Sequence, residues 1–348
     1  MRALLVANDP RAFDTGSAVR HRLHAYAKAL GEVHVLSAAP NGTREVHERA
    51  LYLHPVSAPR LLRLLVLASR ARALVRAQGI EVVSAQDPFE HGLVGWWATR
   101  GTATRLHIQL HTDPFARDFA RLSLVNRLRT WLMPFIISRA ARIRVVSERL
   151  KDELTHRSYS RVPITVLPIY ADLTRVRTVV RTPEKGRLLW IGRFEREKDP
   201  MLALEALAGA RAAGVDARLT MLGTGRLARA LAARASAHGL SSFVEFPGYA
   251  DPLPYLAKAE LLLVTSRYEG YGLAIVEALA AGVPVLATDV GIAREAGALV
   301  AERGRYIAAL ADWFRGGPRE GRLASYPYTP FEGYVAAYAA DLEAARDA

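Results

Sequence analysis

The amino-acid sequence predicts an α/β protein built from two doubly wound parallel sheets, each covered by helices. Three observations predict this fold class. Short apolar strands alternate with helical segments along nearly the whole chain, the strands fall into two series, and a polar segment containing Pro and Gly, TPEKG at 182–186, separates the series. A chain of 348 residues also has room for two domains of ordinary size.

The two series of apolar runs define the predicted domains. The first series has predicted strands at 3–7, 33–37, 81–85, 105–110 and 142–147, with a helix from about Ser17 to Leu30. The second has predicted strands at 187–192, 218–223, 243–248, 260–265 and 283–288. We therefore expect a first domain over 1–180, a second over 181–329 and a helical C-terminal segment over 330–348. Ligands of such sheets bind at the carboxyl ends of the strands, so two Rossmann-like domains facing each other predict a cleft between them.

The composition is that of a globular protein, with 51% hydrophobic and 23% charged residues. There is no cysteine, which excludes disulfides, thiolate metal sites and a cysteine nucleophile. No run approaches 18 apolar residues, and the N-terminus lacks the apolar core of a signal peptide. The expectation is a cytoplasmic protein, with the inner face of the membrane as an alternative location.

The net positive charge of the chain lies entirely in its first half. Residues 1–180 contain 27 Lys and Arg against 14 Asp and Glu, whereas residues 181–348 contain 20 of each. Such asymmetry indicates an anionic partner. Lipid headgroups and a lipid-diphosphate acceptor are the expected partners, and nucleic acid is not expected. Two basic amphipathic stretches, 60–77 and 119–144, are of the kind that lies on a membrane. The alternatives are compositional drift, since only five of the 47 basic residues are lysine, and helices that simply cover a sheet.

The most informative segment is SRYEGYGLAIVEALAAGVPVLATD, at 266–289. Glu269 lies in a loop with Gly270 and Gly272, and Glu277 follows eight residues later inside the helix that the loop begins. A helix N-terminus offers free N–H groups and a partial positive charge, which suit an anionic ligand. A phosphate on the N–H groups, a diol on one glutamate and a sugar beside the other describe a sugar-nucleotide site.

This segment closely resembles the E-x7-E signature of retaining glycosyltransferases with the GT-B fold, through EGYGL, EALAAGVPV and ATD in order. The resemblance implies that Glu277 holds the ribose hydroxyls of the donor and that Glu269 faces the donor sugar. It implies that the diphosphate and sugar meet the backbone of Gly270, Tyr271, Gly272 and Leu273. It also implies a C-terminal helix that crosses back to the first domain. The alternative is two solvated glutamates beside a turn.

A second loop, RFEREKDP, follows the strand RLLWIG. Asp199 and Pro200 are good N-cap and first-turn residues of the next helix, which fixes Arg193 and Lys198 on a strand-to-helix loop. Both cations suit phosphate oxygens, and the resemblance places them on the donor diphosphate. The alternative is a set of local ion pairs among Arg193, Glu195, Arg196, Glu197 and Lys198.

Other motifs belong to the rim of the predicted site. LGTGRLARAL at 222–231 lacks the third glycine of a dinucleotide fingerprint and predicts a turn of close backbone approach. His111, at the end of the strand in QLHTDPF, is the candidate to stabilise charge or bind a sugar hydroxyl; the nearby Asp113 is a weaker candidate, with helix capping as its alternative. Members of the resembled family carry paired glycines near the N-terminus, where this chain has Gly16 alone. The resemblance implies donor contact at Gly16, but the close backbone approach that a glycine pair allows is not predicted here.

The absence of Asp-x-Asp and of any metal-ligand spacing predicts a diphosphate neutralised by Arg193, Lys198 and a helix N-terminus, without a metal cofactor. The resemblance implies a retaining glycosyltransferase that moves a hexosyl group from a UDP- or GDP-linked sugar to a glycan or lipid-linked acceptor in bacterial cell-surface polysaccharide or glycolipid synthesis. The alternative is an inactive sugar-nucleotide-binding subunit of a larger complex. An NAD-dependent oxidoreductase is disfavoured by the missing fingerprint.

Overall fold

The computed structural model describes residues 1–159, 161–324, 326–327 and 330–348. The chain forms two compact units. The first unit comprises Met1–His111, Val125–Pro168 and the C-terminal helix. The second unit comprises Thr112–Leu124 and Ile169–Pro327.

The first half of the chain alternates strands and helices as predicted. Its elements are β1 (Arg2–Ala7), α1 (Ala18–Leu30), β2 (Glu32–Ala38), β3 (Val46–Glu48), β4 (Leu51–Val56), α2 (Arg63–Gln78), β5 (Val82–Ala85), α3 (Glu90–Thr99), β6 (Arg105–Leu110), α4 (Arg117–Leu122), α5 (Leu124–Ile137), β7 (Arg142–Val145), α6 (Glu148–His156) and β8 (Ile164–Val166). The eight strands form one sheet in the order β3-β4-β2-β1-β5-β6-β7-β8. All neighbours are parallel except the β3–β4 pair.

Helix α1 begins where the sequence predicts, because the Ser17 side chain accepts a hydrogen bond from the Arg20 N–H and caps it. The sequence analysis did not predict β3, β4 or β8. Strand β4 contains Pro55, a residue that sheets tolerate only where no ladder hydrogen bond is needed. In the structure β3 pairs with β4 only over Leu51–Leu53, so Pro55 lies beyond that pairing.

The second half continues with α7 (Thr174–Arg177), β9 (Arg187–Ile191), α8 (Pro200–Ala212), β10 (Arg218–Leu222), α9 (Ala228–Ala237), β11 (Val244–Gly248), α10 (Leu253–Lys258), β12 (Leu261–Val264), α11 (Leu273–Ala280), β13 (Val285–Thr288), α12 (Ala293–Ala296), β14 (Leu299–Ala301) and α13 (Tyr306–Gly316). Its six strands form a parallel sheet in the order β11-β10-β9-β12-β13-β14. The core of this unit is built around Trp190 on β9 and the apolar faces of α8 and α13. The predicted α/β class with two parallel sheets is confirmed.

The segment 182–186, predicted as a linker, lies within the second unit. The N–H groups of Thr182 and Glu184 donate to the carbonyls of Ala257 and Lys258. These bonds attach the segment beside the start of β9.

The C-terminal helix α14 (Phe331–Arg346) packs on α1 and on β5, β6 and β7 of the first sheet, as the resemblance implied. Its Asp341 carboxylate is buried and accepts hydrogen bonds from His107 Nε2 at 3.0 Å and Arg142 Nε at 2.6 Å. Burial by itself would raise the pKa of Asp341, but the bonds from His107 and Arg142 lower it to about 2. The helix is therefore joined to the sheet by charge as well as by apolar packing.

Candidate functional site

The loop between β12 and α11 carries Glu269 at the carboxyl end of the second sheet. Its Oε1 atom accepts a hydrogen bond from Ser266 Oγ at 2.8 Å and pairs with Lys198 Nζ. The side chains of Glu269 and Lys198 are 15% and 23% exposed, so this ion pair is mostly shielded but still reachable from solvent. The structure thus brings together two residues that lie 71 positions apart in the sequence and that the sequence assigned to one site.

A chain of hydrogen bonds that starts at Trp190 on β9 fixes the turn that carries Lys198. Trp190 Nε1 donates to Thr265 Oγ1 at 2.9 Å, and Thr265 Oγ1 donates to the carbonyl of Lys198 at 3.0 Å. The N–H of Arg267 donates to the Glu197 carbonyl at 2.8 Å. Because Thr265 and Arg267 flank Ser266, their bonds to the carbonyls of Lys198 and Glu197 hold the two loops of the predicted site together in addition to the Lys198–Glu269 pair.

Asp199 occupies the N-cap position of α8, but it does not cap the helix with its side chain as the sequence suggested. Its backbone is left-handed, with φ 45°, and its buried carboxylate turns to bind Arg303 at 2.6 Å and Arg267 at 3.3 Å. Two guanidinium groups outcompete the helix N–H groups for this carboxylate, since charge-assisted bonds are the stronger ones. Pro200 does take the predicted first helical position.

Arg193 is placed differently from Lys198. Its guanidinium is 71% exposed and bonds to Glu197 Oε1 at 2.9 Å. Glu195, in turn, binds Arg226 at 2.9 Å. The local ion pairs weighed as the alternative for this loop are therefore present around Arg193, whereas Lys198 turns away from them toward Glu269.

Glu277 lies in the second turn of α11 and is half-buried. Within the described parts of the chain its carboxylate has no hydrogen-bond or ion-pair partner, and burial raises the pKa of this carboxyl group. The N–H groups of Leu273 and Ala274, at the start of the same helix, also have no acceptor among the described residues. A half-buried carboxylate and helix N–H groups that lack an acceptor among the described residues are groups that a ligand can satisfy.

Three glycines make the site loops fit against each other. A Cβ atom on Gly223 would lie 1.8 Å from the Gly192 carbonyl oxygen, and one on Gly225 would lie 2.5 Å from that of Phe194. The close backbone approach predicted for the LGTGR turn is therefore present, against the loop that carries Arg193. Gly291, which the sequence analysis did not single out, has φ 51° and lies against the Tyr271 carbonyl oxygen, 2.0 Å from where its Cβ would be. Only glycine fits there.

In the first unit, His111 lies at the end of β6 and its Nε2 is 2.9 Å from Gln109 Oε1. Burial, and then the nearby Arg144 cation, lower the pKa of His111 to about 3. Asp113 is buried and accepts hydrogen bonds from the N–H groups of Phe115 and Ala116, so it stabilises the turn before α4, in line with the capping alternative.

Gly16 is exposed, and its N–H donates to Asp14 Oδ1 at 3.1 Å. A Cβ there would meet only that oxygen, at 3.8 Å, so this position has room for a side chain. The tight backbone approach that paired glycines would give is not built into this loop.

Sequence reasoning missed Ser266, Arg267 and Gln109. Ser266 and Arg267 were inside the quoted motif, but only the folded loop shows that they bind Glu269 and Asp199. For Gln109 the signal was available in the sequence. It lies two residues before His111 on a strand, and such residues share one face.

Two family models cover most of the chain. The model described as Glycosyltransferase Family 4 matches residues 16–175, and the model described as Glycosyl transferases group 1 matches residues 185–314. The chain belongs to the family 4 glycosyltransferases. The resemblance found in the motif at 266–289 is thereby confirmed, and both halves of the chain share it.

Sequence relatives of this family 4 chain cover parts of it. Glycogen synthase of Mycobacterium tuberculosis is 30% identical over 173 residues, which are 48% of this chain and 41% of the relative. A GDP-mannose-dependent alpha-(1-6)-phosphatidylinositol dimannoside mannosyltransferase of the same species is 36% identical over 116 residues, which are 32% of this chain and 29% of the relative. The chain thus spans less than half the length of these curated relatives.

Solved structures resemble the family 4 chain over its whole length. Sucrose-phosphate synthase from Thermosynechococcus elongatus matches with a TM-score of 0.71 at 17% identity, covering 100% of this chain and 94% of its own. Anabaena Alr3699/HepE in complex with UDP and glucose matches with a TM-score of 0.68 at 17% identity, covering 98% and 95%. At this identity the likeness concerns the fold, which is GT-B.

Proposed function

We propose that this protein transfers a hexosyl group from a nucleotide-diphosphate sugar to an acceptor hydroxyl, with retention of anomeric configuration. The observation that carries the proposal is the shielded Lys198–Glu269 pair beside the start of α11. In the second turn of that helix lies the Glu277 carboxylate, which has no partner among the described residues. Family membership supports the reaction class, and the complex of Anabaena Alr3699/HepE with UDP and glucose supports a nucleotide sugar as donor.

The proposed donor contacts follow from the hydrogen-bond partners that Glu277 and the first N–H groups of α11 lack among the described residues. The Glu277 carboxylate accepts hydrogen bonds from the two ribose hydroxyls. These neutral donors satisfy the hydrogen-bonding capacity of the carboxylate without a buried counter-ion. The N–H groups at the start of α11, in Gly272, Leu273 and Ala274, receive the diphosphate. Gly270 and Tyr271 supply the backbone beside the sugar.

Lys198 and Arg193 are the cations proposed to neutralise the diphosphate. Lys198 would exchange its bond to Glu269 for a phosphate oxygen, which frees the carboxylate to face the sugar as charge develops on the ring. Arg193, which is exposed, reaches the phosphate only by leaving Glu197. The leaving phosphate takes the proton of the acceptor hydroxyl in this proposal, so no dedicated protein base and no metal is required. In the described residues no group of three or more His, Asp and Glu side chains is arranged to hold a metal ion.

His111 is proposed to contact the donor sugar. The loop that contains Gly16 is proposed to contact the diphosphate, without close approach of the Gly16 backbone. UDP and GDP are the proposed nucleotides. The proposed acceptor is a glycan or lipid-linked sugar of bacterial cell-surface polysaccharide or glycolipid synthesis, and the basic first unit is proposed to contact anionic membrane at its cytoplasmic face. None of the described helices is both long enough and apolar enough to cross a bilayer.

An exposed apolar stripe on α5 supports this membrane contact. Leu128 and Trp131 are 61% and 76% exposed, and Val125 and Phe135 continue the stripe at helical spacing. The Arg139 guanidinium lies 3.5 Å from the centroid of the Phe135 ring. Aromatic and aliphatic side chains bordered by arginines are the features by which a helix lies on an anionic bilayer.

The test of the donor site is thermal stability with UDP, GDP and ADP and their common sugar conjugates, in EDTA, for the wild type and Glu277→Gln. Stabilisation by one nucleotide that is lost in the variant supports the proposal. Loss of one charged hydrogen-bond acceptor weakens binding about 10- to 100-fold. Stabilisation of the wild type by no nucleotide would refute the donor site. Stabilisation without turnover on any acceptor would favour the alternative of an inactive sugar-nucleotide-binding subunit.

A further inference from the structure

A buried polar chain runs from the C-terminal helix to His111. Gln109, the central residue of this chain, lies on β6 and is 3% exposed. Its Oε1 atom is 2.8 Å from Arg144 Nη1 and 2.9 Å from His111 Nε2, and its Nε2 atom is 2.8 Å from Ser84 Oγ and 3.1 Å from the hydroxyl of Tyr338 on α14.

These contacts leave Gln109 one orientation. Arg144 carries only donors and no acceptor, so the atom of Gln109 that faces it is the amide oxygen. Arg144 is itself fixed, because it is buried and donates to the Leu167 carbonyl at 3.1 Å and to the Tyr334 hydroxyl at 3.0 Å. A flipped amide would place N–H groups against a guanidinium, which costs a buried hydrogen bond and adds repulsion.

The orientation of Gln109 in turn determines the tautomer of His111. The oxygen of Gln109 only accepts, so His111 Nε2 must carry a proton and donate it. In the neutral ring Nδ1 then has no proton, and it has no hydrogen-bond partner among the described residues. The lone pair on His111 Nδ1 can therefore accept a hydrogen bond from a ligand.

We propose that Gln109 and Arg144 are positioning residues that hold His111 as the neutral Nε2–H tautomer, so that Nδ1 accepts a hydrogen bond from a hydroxyl of the bound sugar. The identity of that hydroxyl rests on the proposed function; the tautomer does not. His111 then acts as an acceptor and not as an imidazolium that would stabilise negative charge.

The charges around His111 favour the neutral ring. Arg144 on β7 and Arg22 on α1 oppose protonation, as does His107 on β6, whereas Asp87, after β5, favours it. Asp87 is itself paired with His91 on α3. From α14, the hydroxyl of Tyr334 lies 3.0 Å from Arg144 Nη2 and that of Tyr338 lies 3.1 Å from Gln109 Nε2. Burial raises the pKa of Tyr338.

The tautomer can be measured in ligand-free protein by nitrogen-15 NMR of labelled histidines, with His111→Ala to assign the signals. The expected result is a protonated Nε2, an unprotonated Nδ1 and no titration of His111 between pH 5 and pH 8. A carboxylate in place of the amide oxygen favours the imidazolium, so Gln109→Glu should shift the His111 midpoint upward by about one pH unit or more. Gln109→Met, of similar size, should release the ring to a mixture of tautomers.

The proposal is overturned if wild-type His111 titrates near pH 6.5, if Nδ1 carries the proton, or if Gln109→Met leaves the tautomer unchanged and Gln109→Glu leaves the midpoint unchanged. The wild-type spectrum decides even where a variant fails to fold. Once a donor and acceptor are known, Gln109→Glu should give kcat an acid limb at the midpoint measured by NMR, with little change in the KM for the donor. A wild type without turnover would refute the proposed function and leave the tautomer result standing.

Discussion

Asp341 on the C-terminal helix accepts a hydrogen bond from His107 on β6, 234 residues earlier in the chain. Both side chains are at most 1% exposed. Because an ionised carboxylate only accepts, His107 Nε2 carries the proton that faces Asp341, and the other ring nitrogen, Nδ1, lies 2.8 Å from Ser84 Oγ. The pair therefore joins α14 to β6 through one buried hydrogen bond, and α14 is part of the same polar chain that reaches Gln109.

We predict that Asp341→Asn lowers the stability of the first unit by about 2–4 kcal/mol, because it leaves the Arg142 cation without its carboxylate. The depressed pKa of Asp341 means that this stabilisation is present above the unfolded pKa near 3.9 and is lost as pH falls toward about 2. Thermal unfolding at pH 7 and at pH 3.5 checks both points. Asp347→Asn, in an exposed pair with Arg346, is the control and should change stability by about 0.5 kcal/mol or less. An equal effect of the two substitutions would contradict the prediction.

Glu277→Gln should be more stable than the wild type at neutral pH, although it loses donor binding. Burial raises the pKa of Glu277, so the protonated carboxyl group contributes favourably to folding stability. This contribution is lost as pH rises through the pKa that Glu277 has in the folded protein. We expect a gain in Tm of about 2 °C at pH 7, the size of an effect near 1 kcal/mol, and none at pH 4. Glu184→Gln, whose side chain is 41% exposed and pairs with Lys258, should not show this pattern. A loss of stability in Glu277→Gln at pH 7 would mean that the carboxylate has a partner that stabilises its charge.

Lys198→Met should weaken binding of the nucleotide diphosphate by about 10- to 100-fold, because the substitution removes a charge-assisted bond from a partly shielded site. Among the described residues, it should also leave Glu269 with Ser266 alone as a bonding partner. Lys258→Met is the matched control, since Lys258 is 56% exposed and pairs with Glu184 in the same unit. Isothermal titration with the nucleotide that stabilises the wild type measures the difference. Similar affinities for the two variants would remove Lys198 from the donor site.

Gly291→Ala should damage the loop that carries Glu269 without a change in any charged group. The added Cβ would lie 2.0 Å from the Tyr271 carbonyl oxygen at a backbone φ of 51°, so either the Tyr271 loop or the turn after β13 must move. We expect a loss of donor affinity of about tenfold or more together with a lower Tm. Gly304→Ala, where a Cβ meets nothing within 4 Å, should behave like the wild type. An unchanged affinity in Gly291→Ala would show that this contact does not shape the site.

Binding of the first unit to membrane should depend on the apolar stripe of α5. The double substitution of Leu128 and Trp131 by Ser should reduce co-sedimentation with vesicles of anionic phospholipid by about tenfold or more, with little effect on stability, because both side chains are exposed. Tyr249→Ser is the control, since Tyr249 is a 94% exposed aromatic residue of the second unit. Wild-type binding that is equal for anionic and zwitterionic vesicles, or binding that survives the double substitution, would count against the proposed contact.

The local pattern of residues was enough to predict most of the strands and helices of the fold. Apolar runs of strand length, the start of α1 near Ser17 and the Pro200 position could be identified from the sequence because each depends on residues only a few positions apart. The strands β3, β4 and β8 were missed because β3 and β8 have three residues each, and because β4 contains Pro55, a residue type that argues against a strand when the sequence is considered alone.

The sequence by itself determined the two-sheet α/β class, the family and the set of residues proposed for the donor site, since motif order and periodicity are properties of the chain. Only the tertiary structure decided which partners the charged groups take. Lys198 pairs with Glu269 and Arg193 with Glu197, although both cations lie on one loop, and Asp199 binds Arg303 and Arg267 instead of its own helix. The physical reason is that an ion pair depends on distance and burial in three dimensions, and partners such as Asp341 and His107 are brought together only when the sheet has formed.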